Sequence, residues 1–139
     1  MQTAVKLTTK ALSGGRVEFT VPELMEGSEV DVIVMSSSPS ENADLATRFR
    51  ALADRWYEET TVLSSASQMA MHPAYQEVIG MGLMAVPLIL HELQQEPQHW
   101  FWALRAITGA DPIRPEQRGK VREMTTAWLQ WGHEHGFLP

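Results

Sequence analysis

Apolar and polar positions follow two different periods along this chain, and the change between them falls near residue 40. Val17, Phe19 and Val21 alternate with Glu18 and Thr20, and Val30, Val32 and Val34 alternate with Asp31 and Ile33. A period of two places successive side chains on opposite faces of an extended chain, so each run predicts a strand with one buried face. Val5 and Leu7, alternating with Lys6 and Thr8, predict a weaker strand before them, and Gly14-Gly15 supplies the permissive backbone of a hairpin turn. Pro22 to Ser28 reads as the loop between the two stronger strands. Residues 1–35 are therefore expected to form a small β element. An element of this size buries too little apolar surface to stand alone and leaves its edges open. Pairing with a second copy through Val17, Phe19, Val21, Val30, Val32 and Val34 would close the edges and bury the apolar faces; docking on the rest of the chain is the alternative.

The segment SSSPSE, residues 36–41, is small, polar and interrupted by Pro39, as expected of a linker that also caps the next helix. From residue 42 the period becomes helical. Leu45, Phe49, Leu52, Ala53 and Trp56 share one face, with Arg48, Arg50, Asp54 and Arg55 toward the other. Residues 64–82 predict helical pieces broken at Pro73, with Gly80 or Gly82 ending the second in the left-handed conformation. A helix follows over LMAVPLILHELQQ, with Pro87 near its start where a missing amide costs little. Asp111 and Pro112 end the next helix, and Pro115 opens a last one bearing Val121, Met124, Trp128 and Trp131. The expected fold class is α+β: a small swapped-hairpin-like β element at 1–35, a linker at 36–41, and an all-α domain of about five helices at 42–139.

One stretch of the helical part breaks the pattern. Trp100, Phe101 and Trp102 are adjacent, and at ~100° per residue Trp100 joins Ala103, Leu104 and Ile107 on one stripe, with Phe101 beside it and Trp102 nearly opposite. Either this helix is covered on two sides, or Trp102 lies exposed near Arg105 as an anchor for a partner. Trp102, Arg105 and Phe101 are thus the candidate partner-binding residues.

Composition removes several classes of function. With 139 residues, 44% of them hydrophobic and five of them Trp, the chain can fill one core. The formal net charge of −6 draws it toward neither nucleic acid nor an anionic membrane. The absence of cysteine excludes disulfides and thiolate chemistry. The first residues lack the apolar stretch of a signal peptide, and the longest apolar run, Val78 to Leu90, is well short of the ~20 residues that span a bilayer. A soluble cytoplasmic protein is expected, with no membrane partner.

Catalytic and cofactor readings are weak. GMGLMA, residues 80–85, fits the dinucleotide-binding spacing, but no strand precedes it and Trp100 falls near the place of the ribose-binding acid. His133 and His135 point about 200° apart on a helix, unlike a zinc-binding i, i+4 pair. His72 and His99 suit helix caps or backbone contacts, and Glu77, Glu92 and Glu96 suit a solvated face. A cluster of His72, His91, His99 or Glu92 around a deep pocket would favour a hydrolase. The expectation is no enzyme, no metal and no cofactor.

Two resemblances add to these readings. Gly15-Arg16-Val17, Pro22 and Glu26-Gly27-Ser28-Glu29-Val30-Asp31-Val32 resemble the N-terminal β domain of AbrB-like and short prokaryotic antitoxins. That resemblance implies a homodimer through the N-terminal element, neutralisation of a toxin encoded by the neighbouring gene, and in some families DNA binding. Lys6, Lys10 and Arg16 are then the candidate DNA contacts, although Glu18, Glu23, Glu26, Glu29 and Asp31 outnumber them. From Trp56 onward, HPAYQEVIGMG, AVPLILHEL, WFWALRAITG and AWLQWG resemble an uncharacterised bacterial helical family. Within it, Val86, Ile89, Leu90 and Leu93, followed by Ala103, Leu104 and Ile107, look like one HEAT-type helix pair. The expected function is that of an antitoxin-like protein whose β element forms a homodimer and whose helical domain binds and silences a toxin encoded by the neighbouring gene, with DNA binding as a further role; the alternative is a HEAT-like adaptor or scaffold without a toxin partner.

Overall fold

The computed structural model describes residues 5–32, 34 and 39–139. Six α-helices form the body: α1 (Pro39–Thr60), α2 (Ala66–Ala70), α3 (Pro73–Gly80), α4 (Val86–Gln95), α5 (Phe101–Thr108) and α6 (Val121–Glu134). The helical spacing read from residue 45 onward corresponds to α1, whose Phe49, Ala53 and Trp56 are buried. His72 caps α3: its ring Nδ1 accepts the Ala74 N–H at 3.0 Å, and Pro73 occupies the first turn. Between α3 and α4, Gly82 takes the left-handed backbone at φ 69°, and the chain bends by 111°. No single helix among the described residues is long and apolar enough to cross a membrane.

Boundaries at the far end differ from expectation. α5 stops at Thr108 because Gly109 takes the left-handed C-terminal conformation and returns its N–H to Arg105, before Asp111 and Pro112 are reached. Pro115 opens only a 3-10 turn, Pro115–Gln117, and α6 starts at Val121. α4 packs chiefly on α6, and α5 chiefly on α3.

The larger correction concerns the N-terminal part. No strand occurs among the described residues, so the expected β element and the α+β class do not hold. The chain does turn at Gly14 and Gly15, both with positive φ, and Leu12 N–H reaches Arg16 C=O at 2.7 Å. No ladder extends from that turn. The remaining backbone bonds among the described residues are local, Gly15 to Leu12, Leu24 to Val21 and Ser28 to Met25, apart from one from Lys6 N–H to His135 C=O at 2.9 Å. Alternation predicts which face of a strand would be apolar, but a strand exists only where a neighbour completes its hydrogen bonds, and the helical body offers none. Residues 5–34 are accordingly called the arm. Of the residues expected to form a paired sheet, Val17 and Val21 are partly covered, while Phe19, Val30, Val32 and Val34 are exposed. The serines of the expected linker, 36–38, lie outside the described residues.

The buried cluster runs from Phe49 to Leu138 and includes no arm residue. Its centre is aromatic. The Trp100 ring lies 4.5 Å from Trp56 and stacks on Tyr75 at 5.2 Å and 6°. Such pairs each contribute about 0.5–1.5 kcal/mol beyond their buried area. At the C-terminal end of α6, Trp131 and Gly132 are buried, and Phe137 stacks on the Trp131 ring at 5.2 Å. Gly132 is needed there, since a β-carbon would stand 2.6 Å from Leu90 Cδ1.

Candidate functional site

Two polar arrangements surround the core, and they differ in kind. The first joins α1, α4 and α5. Arg50 grips the Glu92 carboxylate with both terminal nitrogens, at 2.7 and 3.0 Å, and its Nε donates to Asp54 at 2.9 Å. Tyr57 donates its hydroxyl to Glu92 Oε1 at 2.8 Å and accepts the Trp100 indole N–H at 3.0 Å. Burial on its own would raise the Glu92 carboxyl, but hydrogen bonds from Arg50 and Tyr57, with the Arg50 charge, hold it below the ordinary glutamate range. Burial pushes the Tyr57 hydroxyl up, against the Trp100 N–H and with the help of the Glu92 carboxylate, so it stays protonated and donates. Tyr75, also raised chiefly by burial, donates to His99 C=O and accepts the Ala103 N–H, which positions the start of α5. The network runs from the half-exposed Arg50 and exposed Asp54 inward to Glu92, Tyr57 and the Trp100 indole, and its cross-helix bonds staple α1 to α4 and to the start of α5.

The remaining catalytic candidates lie apart from one another. His72 uses Nδ1 on the Ala74 amide and turns Nε2 toward Glu59 at 3.3 Å, with Arg55 bonded to the same carboxylate at 2.8 Å. The His99 ring stands edge-on to Phe101, and the His135 ring stacks on Trp131. His91 is exposed on α4. Among the described residues, no group of three His, Cys, Asp or Glu side chains could hold a metal ion.

The second arrangement is a shallow groove of about 450 Å³ beside the aromatic triplet. Trp100 is fully buried and Phe101 nearly so, whereas Trp102 is 52% exposed, following the angular offset along α5. The three candidate partner-binding residues are thus divided: Trp102 and Arg105 face outward, and Phe101 forms wall. Around them the structure brings Ile113 from the loop after α5, Arg118 from beyond the 3-10 turn, and Met124 and Trp128 from α6. Asp111 lies between the two arginines, 2.7 Å from Arg118 and 3.9 Å from Arg105. Thr125 Oγ1 and Trp128 Nε1, three residues apart on α6, are buried and find no hydrogen-bond partner among the described residues. Asp111, Ile113 and Arg118 were not legible as neighbours of Met124 and Trp128, because a loop of irregular backbone carries no period from which convergence could be read.

The arm is the third feature. Among the described residues, nine large hydrophobic side chains stand exposed along it, namely Val5, Leu7, Leu12, Phe19, Leu24, Met25, Val30, Val32 and Val34, against Val62, Met71 and Trp102 on the body. Of the candidate DNA contacts, Lys6 and Lys10 are exposed and Arg16 pairs with Glu18 at 3.3 Å, so the three do not form a cationic cluster. No protein-family model, curated protein or solved structure matches this chain.

Proposed function

We propose that this chain is a protein-binding module that acts through its arm, in the manner of an antitoxin that neutralises a protein encoded beside it. The observation that carries this reading is the exposed apolar series on an arm that supplies nothing to the core. Apolar surface displayed in series marks an interaction site, and a segment that orders on a partner can wrap a large surface with few residues. The sequence resemblance over residues 15–32 supplies the antitoxin part of the proposal. A nucleic-acid partner has less support, since residues 17–32 carry five carboxylates and no cation.

Co-expression of the full chain with the product of the adjacent gene tests this. A stable complex, rescue of growth, and new protection of arm amides from hydrogen exchange are the expected results. Phe19→Asp with Leu24→Asp should abolish the complex without lowering the melting temperature, because both side chains are exposed. No association, or an association that leaves the arm unprotected, refutes the proposal. Arm-dependent capture of a protein that is not a toxin would support the adaptor alternative instead.

A further inference from the structure

We propose that the groove beside Trp102 receives the arm of a second copy of this chain, so that two chains exchange arms in a reciprocal pair. This rests on the arm being a binding element and names a surface that takes it. No strand pairing is required.

The two surfaces are complementary in charge. Asp111 is the one carboxylate in the groove lining, and it faces two guanidinium groups, Arg118 closely and Arg105 loosely. The lining therefore carries one net positive charge, in a chain whose net charge is −6, and of the cations that follow in sequence Arg114 is paired with Glu116 at 3.3 Å and Lys120 lies 3.8 Å from Glu123. Residues 17–32 of the arm hold Glu18, Glu23, Glu26, Glu29 and Asp31 with no Lys or Arg. Opposite charges of this kind set orientation and speed encounter.

The surfaces also match in apolar content. Phe19, Leu24, Met25, Val30 and Val32 stand exposed among those carboxylates, while the groove offers the exposed Trp102 and the partly covered Met124 beside its arginines. Tryptophan and arginine are both enriched among the residues that dominate binding energy at interfaces. A two-fold axis makes the contact twice, with the same patches on both chains.

Sedimentation of the full chain over a range of concentrations should give a monomer–dimer equilibrium that weakens as salt rises. Reversing the groove by Arg105→Glu with Arg118→Glu, or the arm by Glu18→Lys, Glu23→Lys and Glu26→Lys, should raise the dimer dissociation constant about tenfold or more in each case. Mixing the two reversed proteins should restore pairing to within about threefold of the original, since each altered arm then meets a matching groove. Should the reversed groove disturb folding through Asp111, Trp102→Ala carries the same expectation from an exposed position. A monomer at every concentration, a dimer indifferent to these changes, or a mixture that stays apart overturns the pairing. A monomer that still binds a partner protein through its arm overturns this inference alone and leaves the proposed function standing.

Discussion

Replacing Glu92 with Gln isolates what a single negative charge contributes to holding α1, α4 and α5 together. The carboxylate side chain is only 14% exposed and accepts the Tyr57 hydroxyl at 2.8 Å, a charge-assisted bond of the kind that contributes about 1.5–3 kcal/mol. Gln keeps a carbonyl acceptor, so roughly half of that remains. Arg50 is 47% exposed, and water screens it, so the lost ion pair adds no more than about 0.5–1 kcal/mol. Glu92→Gln is therefore expected to lower stability by about 2 kcal/mol near neutral pH. The sign of the pH dependence follows from the lowered carboxyl. A glutamate held below its unfolded value contributes stability above that value and loses it as pH falls through the folded one. Urea unfolding followed by tryptophan fluorescence, run on both proteins from neutral to acid pH, should show a gap that closes below the ordinary glutamate range of about 4.3. A gap of equal size at both ends of the series, or none at neutral pH, would refute the assignment of Glu92 as a charged staple.

Trp100→Ala should cost about 3–5 kcal/mol in the same assay, while Trp102→Ala two residues on should change stability by no more than about 0.5 kcal/mol, because one ring is fully buried and the other lies at the surface. Gly132→Ala is expected to cost about 1–3 kcal/mol, measured as a lower melting temperature, since the new methyl must displace Leu90 and Leu138. Gly136→Ala combines a strained positive φ with a collision against the Lys6 carbonyl oxygen, so it should release the Lys6 amide to rapid hydrogen exchange. A Lys6 amide that stays protected in that variant would show that the arm is held by something else.

The helical body was largely legible because its signals are local. Leu45 to Trp56 repeat with the helical period, Pro73 and Pro87 sit where a helix start tolerates them, and the angular offset between Trp100 and Trp102 separates core from surface. What was not legible depended on residues far apart in sequence. Glu92 reads as one more solvated acid until Arg50 and Tyr57 arrive from a helix about 40 residues earlier. The arm misled for the same reason in reverse. Val17, Phe19 and Val21 alternate as a strand should, but alternation describes side chains, and a strand is completed by a neighbouring backbone that the described residues do not provide.

The bond from Lys6 to His135 gives the arm a mechanical character that a dangling terminus lacks. Pinned near its beginning to the last turn of α6, and continuous at its other end with α1, the stretch between is a bight of rope made fast at two cleats. A loop so closed has already surrendered much of its freedom, and lengthening it adds to that cost only logarithmically. Whatever seizes the middle of the bight therefore has less disorder left to remove, and its pull is felt at Gly136, where the backbone leaves room for a carbonyl oxygen and nothing larger.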